Sequence, residues 1–257
     1  MAHRIGIAGI TGRIGQLLAE EVPAAANLSG GIGRPGSAKP VPAGLELLPD
    51  LAALAAVSDV VIDFTHASTA TDAAAKMAQS GKAWVLGTSG LSAADEAAVE
   101  VAARSIPVVY ASNFSAGVNL VLALCERMGA ALPADVYDAE IMEMHHRQKV
   151  DAPSGTAVGM GRAVAKGRDQ KLEDVMVSGR NGHTGARPTG AIGFAALRGG
   201  QVVGEHTLIF ASATEHIALT HRAFDRRAFA TGAVRAALWV VGKPPGLYSM
   251  MDVLGMT

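Results

Sequence analysis

Through the first 115 residues, short apolar runs alternate with segments of helical character. The clearest runs are 59–65, 84–90 and 107–115, and helical segments follow the first two at 68–79 and 93–104. This alternation is typical of parallel strands joined by crossover helices. The sequence therefore predicts an α/β fold with a doubly wound, Rossmann-type parallel sheet.

A glycine-rich turn follows the first apolar run, at residues 4–9. Gly9, Gly12 and Gly15 are spaced G-x-x-G-x-x-G, and residues 16–21 continue with helical character. Strand, glycine turn and helix together let the backbone approach a pyrophosphate at a helix N-terminus. A chain with 30 glycines contains such triplets by chance, so the position of this one directly after the first strand matters. We expect a dinucleotide site here rather than a structural turn.

The second apolar run, 27–32, is followed by Gly33 and Arg34. Chains that bind NAD usually place a carboxylate about 20 residues after the glycines, where it binds the ribose hydroxyls. Here no carboxylate occupies that place, and Arg34, with Lys39 downstream, suits a 2′-phosphate instead. The sequence favours NADPH as the preferred cofactor and leaves NADH possible. The alternative is that Arg34 is an exposed turn residue beside Pro35-Gly36.

Small and hydroxyl-bearing residues stand at the ends of the three runs named first. In open parallel sheets the ligand lies beyond the carboxyl ends of the strands. We therefore expect the cofactor crevice to be lined by Phe64, Thr65, Gly87, Thr88, Ser89, Ala111, Ser112, Asn113 and Phe114.

The pattern changes after residue 115. A predicted helix at 117–132 leads to a strand at 137–144, a His-His loop and a further helix that opens at Gly155. Glycine-rich turns then precede alternating segments, which indicate antiparallel strands with helices on one face, at 192–198, 205–211 and 216–221. We expect an α+β second domain with a mixed or antiparallel sheet. The expected domains are 1–115, 116–225 and a C-terminal segment, 226–257, that returns to the first domain.

Residues 143–157 concentrate two imidazoles, a guanidinium, an ammonium and the start of a helix. Imidazole titrates near working pH and suits proton donation. Lys149 and the backbone N–H groups of Gly155 and Thr156 suit an anion, because a helix N-terminus presents unpaired donors and a positive dipole end. The alternative is a surface loop with solvated charges. We favour a proton-donating imidazole beside a carboxylate site, because a helix opens directly after the loop.

Composition excludes several classes of function. Basic and acidic residues number 22 and 23, and aromatic residues are 4% of the chain, so neither the basic stripe nor the stacking aromatics of a nucleic-acid surface are present. The single cysteine, Cys125, permits no internal disulfide and suits a reducing compartment. No apolar run is long enough to span a membrane. We therefore expect a cytoplasmic protein. We expect no metal site, because two adjacent histidines do not form an i,i+4 ligand pair.

Together these motifs resemble the 4-hydroxy-tetrahydrodipicolinate reductases (dihydrodipicolinate reductases), NAD(P)H enzymes of bacterial diaminopimelate and lysine synthesis. The resemblance covers nearly the whole chain, and its most specific part is the run that begins at His145-His146. The shared segments are Gly9-x-x-Gly12-Arg13-Ile14-Gly15, Asp63-Phe64-Thr65, Gly87-Thr88-Ser89-Gly90, Asn113-Phe114-Ser115, residues 143–157, Arg180-x-Gly182 and Gly204-Glu205-His206.

The resemblance implies reduction of 4-hydroxy-tetrahydrodipicolinate, a dicarboxylate, to tetrahydrodipicolinate. His145 or Lys149 would supply the proton, and the substrate contacts would be His146, Lys149, Gly155 and Thr156. The implied cofactor contacts are Gly9, Ile10, Thr11, Gly12, Arg13, Ile14, Gly87, Thr88, Ala111, Ser112, Asn113 and Phe114. Members often carry an acidic residue in the place of Gly33, so its absence again favours NADPH. Ser89 stands where a second threonine is more frequent and keeps the hydroxyl.

The resemblance also implies a homotetramer assembled through the second domain, which would bind the substrate. Two other functions suit the same architecture: an amino-acid dehydrogenase acting on a substrate such as homoserine or aspartate, and a non-catalytic dinucleotide sensor. The 145–156 loop argues against both, because it combines a proton donor with a carboxylate site. With cofactor and substrate in different domains, we expect domain closure to bring them together and exclude water.

Overall fold

The computed structural model describes residues 2–34 and 36–256. Within them the chain forms two compact units: residues up to Ala116 together with those from Arg226 onward, and Gly117–Asp225. Pro35, part of the turn expected next to Arg34, lies outside the described residues.

The first unit is built on six parallel strands, which are numbered in chain order through the whole protein. They are β1 (Arg4–Ala8), β2 (Asn27–Ile32), β3 (Val60–Asp63), β4 (Ala83–Leu86), β5 (Pro107–Tyr110) and β11 (Gly246–Tyr248). The strand order is β11-β5-β4-β3-β1-β2, and every neighbouring pair is parallel. The predicted doubly wound α/β sheet is therefore confirmed.

Helices cover both faces of this sheet. They are α1 (Arg13–Glu21), α2 (Leu51–Val57), α3 (Ala70–Ser80), α4 (Ala93–Ala103), α8 (Arg227–Val240) and α9 (Met250–Leu254). Successive strand residues alternate between two cores: Ile5 and Ile62 pack with α1 and α8, whereas Val61 and Trp84 pack with α2, α3 and α4. Because both faces are covered, the strands read as continuous apolar runs.

Three elements of this unit were not predicted. Helix α2 has only seven residues and begins at an Asp50 cap, whose Oδ1 accepts from Ala53 N at 2.8 Å. Strand β11 has three residues and owes its conformation to pairing with β5, in which Leu247 lies opposite Val108. Helix α9 follows it. Short elements such as these depend on tertiary contacts, which local sequence patterns do not reveal.

The second unit packs helices against a five-stranded sheet. Its elements are α5 (Ala116–Ala131), which begins at the boundary, β6 (Asp138–His145), α6 (Gly155–Gly167), α7 (Leu172–Val175), β7 (Met176–Ser178), β8 (Ile192–Arg198), β9 (Gly204–Ala211) and β10 (His216–Ala223). The strand order is β10-β9-β6-β8-β7.

This second sheet is mixed, which is one of the two arrangements expected for it. Strand β6 is antiparallel to β9 but parallel to β8, and β7 is also parallel to β8. The chain passes through α6 between β6 and β8, and a crossover of this kind returns it in the same direction. Strand β7 and helix α7 had not been expected as separate elements.

The two faces of this sheet differ. The inner face packs with α5 and α6 around residues such as Ile141, Phe194 and Leu208, and buries Cys125. On the outer face, Met142 is 43% exposed and Leu197 46% exposed. Among the described residues of the second unit, this outer face therefore exposes apolar side chains. None of the helices among the described residues is long and apolar enough to cross a membrane.

Candidate active site

The glycine turn brings backbone close to backbone at the carboxyl end of β1. Gly9 has φ +85°, and a Cβ there would lie 2.7 Å from the carbonyl oxygen of Phe64. A Cβ at Gly15 would collide with the carbonyl oxygen of Gly9. Gly12 precedes α1, and in the described part of the chain neither a capping side chain nor a first-turn acid occupies this helix start. The positive end of α1 is therefore available to an anion.

A cavity of about 580 Å³ opens in front of this turn, beyond the carboxyl ends of β1, β2 and β3. It is lined by Gly9, Thr11, Gly12, Arg13, Ile32, Gly33, Arg34, Ser37, Lys39, Phe64, Thr65, His66 and Thr69. Two expected cofactor residues, Ile10 and Ile14, are not on its wall. The Ile10 side chain is fully buried in the core, so only its backbone can face a ligand. The half-buried Ile14 packs against the same core.

Thr11 fixes the segment that carries Arg34. Its Oγ1 accepts a hydrogen bond from the backbone N–H of Arg34 at 2.9 Å, while the Arg34 side chain is exposed at the cavity. A Cβ at Gly33 would lie 2.9 Å from Thr11 Cγ2. The side chain of Thr11 thus fills the place into which a carboxylate at residue 33 would extend. The absence of a carboxylate is apparent from the sequence, but the contact between Thr11 and Gly33 is not.

The expected cofactor residues at the ends of β4 and β5 are not on the cavity wall, but two of them, Gly87 and Phe114, lie next to Phe64, which is. The Phe64 ring packs where a Cβ at Gly87 would stand, and its centroid is 5.6 Å from that of Phe114. Thr88 is 3% exposed, and its Oγ1 has no hydrogen-bond partner among the described residues. Ser89 and Ser112 are exposed, whereas Ala111 and Asn113 are half-buried.

In the second unit, β6 carries a buried carboxylate and an imidazole on one face. Glu143 Oε2 and His145 Nδ1 are 2.6 Å apart. Arg198 on β8 donates from both guanidinium NH2 groups to the two Glu143 oxygens, each at 2.8 Å. The other imidazole nitrogen, Nε2, faces Gly204, where a Cβ would lie 3.0 Å away. Glycine at this position leaves Nε2 open.

The start of α6 is held beside this imidazole. Ser154 caps the helix, because its Oγ accepts from Ala157 N at 3.2 Å, and its own N–H donates to Glu143 Oε1 at 3.1 Å. Ser154 Oγ also lies 2.9 Å from Nε2 of His206, whose ring is 5.0 Å from that of His145. Of the first two helical residues, Gly155 is exposed and Thr156 is half-buried.

Two further expected residues lie in the loop before α6. Lys149 Nζ donates to both carboxylate oxygens of Asp151 at 2.8 Å. His146 is half-buried, and its Nδ1 has no hydrogen-bond partner among the residues that the structure describes. One loop and its flanking elements therefore bring together His145, His146, Lys149, Gly155 and Thr156. No role was predicted for Glu143, Ser154, Arg198 or His206. Three of them, Glu143, Ser154 and His206, lie within the segments shared with the family, whereas Arg198 lies outside those segments.

Burial and nearby charges set the acidity of these groups. Burial lowers the pKa of His145 below its ordinary value, although the hydrogen bond and charge of Glu143 act in the opposite direction. Burial lowers the pKa of His206 to about 4. Burial alone would raise the pKa of Glu143, but hydrogen bonds and charges from Arg198 and His145 hold it below its usual value. Glu143 is thus an anion, and His206 is neutral at working pH.

No group of three or more histidine, cysteine or acidic residues that could hold a metal ion occurs within residues 2–34 and 36–256. The cavity and the loop instead supply an anion-binding helix start, cationic side chains and a titratable imidazole. This set suits proton transfer and the binding of phosphates and carboxylates.

Comparison with known proteins identifies the family. Residues 3–114 match the model described as "Dihydrodipicolinate reductase, N-terminus", and residues 117–254 match "Dihydrodipicolinate reductase, C-terminus". The 4-hydroxy-tetrahydrodipicolinate reductase of Granulibacter bethesdensis is 68% identical over 98% of this chain and 97% of its own length. That of Acidiphilium cryptum is 61% identical over 98% of each chain.

A solved structure has the same fold. The dipicolinate-bound dihydrodipicolinate reductase from Paenisporosarcina sp. TG-14 aligns over 98% of this chain and 99% of its own, with a TM-score of 0.81 and 22% sequence identity. The two alternatives, another amino-acid dehydrogenase and a dinucleotide sensor, are excluded by the family matches. The chain belongs to the dihydrodipicolinate reductase family and is an NAD(P)H-dependent oxidoreductase that reduces 4-hydroxy-tetrahydrodipicolinate in diaminopimelate and lysine biosynthesis.

Proposed function

We propose that the first unit binds NADPH in preference to NADH and that the second unit binds the dicarboxylate substrate and supplies the proton. In terms of domains, 1–115 and the returning segment 226–257 hold the cofactor, and 116–225 holds the substrate. The observation that supports this most is the second-unit loop, where a carboxylate-held imidazole, a lysine and a helix N-terminus occur together. The solved relative that carries dipicolinate supports the substrate class.

The residues of the first unit suit a dinucleotide. Gly9, Thr11, Gly12 and Arg13 surround the free start of α1, which would bind the pyrophosphate. Arg34 lies at the cavity and would bind the 2′-phosphate of NADPH. The remaining strand-end contacts would be Gly87, Thr88, Ser89, Ala111, Ser112, Asn113 and Phe114, together with the backbones of Ile10 and Ile14. Bound NADPH supplies the hydride.

Lys149 and the start of α6 would bind a substrate carboxylate. Gly155 and Thr156 offer backbone N–H groups at a capped helix start, and His146 would add a hydrogen bond. Lys149 is paired with Asp151 in the structure, so a substrate carboxylate would share or replace that partner. The cationic groups would also stabilise negative charge that develops as the hydride arrives.

His145 is the proposed proton donor. The reaction adds a hydride and a proton and releases the 4-hydroxyl group as water, so one acid near the substrate must supply the proton. Nδ1 of His145 is hydrogen-bonded to Glu143, whereas Nε2 lies beside Gly204, which has no side chain to cover it. Lys149 is the alternative donor, and its pairing with Asp151 supports the carboxylate-binding role instead.

Steady-state assays of single variants test these roles. NADPH oxidation is followed with substrate formed in situ from pyruvate and aspartate semialdehyde. His145→Gln and Lys149→Ala should each lower kcat by roughly 10²–10³-fold, with Lys149→Ala also raising KM. NADPH affinity should hardly change. The matched control is His216→Gln, an exposed histidine of β10. Near-normal kcat in both site variants would contradict the assignment.

We also propose that the outer face of the five-stranded sheet mediates homotetramer assembly. The exposed Met142 and Leu197 lie on that face, and exposed apolar patches of this kind mark association surfaces. Light scattering should give a tetramer for the wild type and smaller species for Leu197→Lys. The control is Val101→Lys, because Val101 is 59% exposed on α4 of the first unit. A wild-type monomer would contradict the proposal.

A further inference from the structure

Glu143 is a buried carboxylate for which the proposed roles do not account. Its side chain is 0% exposed. Burying a charge is costly unless it is paired and hydrogen-bonded. All its contacts lead to one place: His145 Nδ1 at 2.6 Å, Ser154 N at 3.1 Å and the two NH2 groups of Arg198 at 2.8 Å. The carboxylate thus joins the proposed acid to the start of the proposed carboxylate site.

The contact with His145 selects one tautomer. An ionised carboxylate only accepts hydrogen bonds, so Nδ1 of His145 carries a hydrogen whenever the contact is made. Nε2 is then the nitrogen that gains and loses the catalytic proton. The negative charge of Glu143 also favours the protonated imidazole, against burial and against the positive charges of Lys149 and Arg198. His206, which faces His145 from β9, is neutral because of its own burial.

The other contacts of Glu143 determine where the helix starts. Its Oε1 accepts from the N–H of Ser154, the residue that caps α6. Arg198 holds the same oxygen and also donates to the backbone oxygen of Asp151 at 2.7 Å. The guanidinium therefore ties the loop to β8. It also compensates a negative charge that would otherwise repel a dicarboxylate from this site.

We propose that Glu143, held by Arg198, is a positioning residue that fixes His145 as the Nδ1–H tautomer and aligns its Nε2 with the start of α6. This inference rests on the proposed role of His145 as proton donor. Glu143 does not touch the substrate and acts through His145 and Ser154. A purely structural role would affect stability alone, whereas this role also affects the acidity of His145.

The pH dependence of kcat tests the inference. The acid must be protonated to act, so kcat falls as pH rises through its pKa. Glu143→Gln removes a charge that raises the pKa of His145, and the fall should move to lower pH. We expect kcat at neutral pH to drop about tenfold to a hundredfold, less than in His145→Gln, with unchanged NADPH affinity. Glu143→Asp keeps the charge and should retain more of the wild-type profile than Glu143→Gln.

The control is Glu140→Gln. Glu140 is on the same strand and is also held by two arginines, Arg180 and Arg187, but points to the outer face. The Glu140→Gln substitution should leave the pH profile of kcat unchanged. A wild-type profile and kcat in Glu143→Gln, or an equal shift in Glu140→Gln, would overturn the inference. If His145→Gln itself kept full activity, the proposed function would fail instead.

A measurement on the wild type does not depend on whether the Glu143 variants fold. In the spectrum of protein labelled with ¹⁵N-histidine, His145 is assigned by the signals lost in His145→Gln. Above the pKa of His145, its Nδ1 should show the shift of a protonated nitrogen and its Nε2 that of an unprotonated one. The reverse pattern would overturn the inference, because Glu143 would then not hold the Nδ1–H.

Discussion

Replacing Arg34 with alanine should remove most of the preference for NADPH. A hydrogen bond to a charged group contributes about 1.5–3 kcal/mol, which corresponds to roughly a tenfold to hundredfold change in affinity. Arg34 is exposed, so solvent and salt screen the contact and the lower part of this range applies. NADH affinity should hardly change, because NADH lacks the 2′-phosphate.

Reversing the preference from NADPH to NADH requires more than adding a carboxylate at residue 33. A Cβ at Gly33 would lie 2.9 Å from Thr11 Cγ2. Thr11 is 8% exposed and its Oγ1 holds the N–H of Arg34, so moving it sacrifices a hydrogen bond worth about 1 kcal/mol. Gly33→Asp alone should therefore weaken NADPH binding without a matching gain for NADH. Together with Thr11→Gly, the aspartate has room to reach the ribose hydroxyls and NADH affinity should rise by about tenfold.

Calorimetric titration of both cofactors at two salt concentrations is the assay. The wild-type preference should shrink as salt increases, because the phosphate contact is screened. Arg162→Ala serves as the control, since Arg162 is a largely exposed arginine of the second unit. Equal dissociation constants for the two cofactors in the wild type would refute the role of Arg34. If Gly33→Asp bound NADH as tightly as the double variant, Thr11 would not be the obstacle.

Three further predictions concern stability and reactivity. Burial lowers the pKa of His206 to about 4, so between about pH 6.5 and pH 4 this histidine binds a proton in the unfolded chain but not in the folded one. The free energy of unfolding should therefore decrease as pH falls through that window, by up to about 1.4 kcal/mol per pH unit. Urea unfolding should show a shallower decrease for His206→Gln, and identical slopes would contradict this. Burial raises the pKa of Cys125 to about 12, so Ellman's reagent should label the native protein far more slowly than the urea-unfolded chain; rapid native labelling would show that the thiol is accessible. Asp50→Ala should cost roughly 1 kcal/mol by removing the cap of α2, and an unchanged melting temperature would show that the cap does not contribute.

The sequence predicted those features that depend on local patterns. The parallel sheet followed from alternating apolar runs, and the crevice position of Gly9 and Arg34 followed from the spacing of the glycine turn. What remained hidden depended on contacts between distant residues. Thr11 meets Gly33, and Glu143 is paired with Arg198 through the parallel β6–β8 ladder, in which His145 lies opposite Arg198. The direction of β8 relative to β6 was not apparent from the alternation of apolar and polar residues, because parallel and antiparallel pairing produce the same alternation of side chains.

Strand β6 restricts which changes of length the family can accept. Glu143 and His145 point to the inner face, while Met142 and Met144 alternate with them on the outer face. Because side chains alternate at every residue, inserting or deleting one residue in β6 would exchange the two sets. The imidazole would be turned to the outer surface and a methionine into the site. Single-residue insertions and deletions should therefore be absent from β6 in functional relatives and confined to the connecting loops, where length is free to vary.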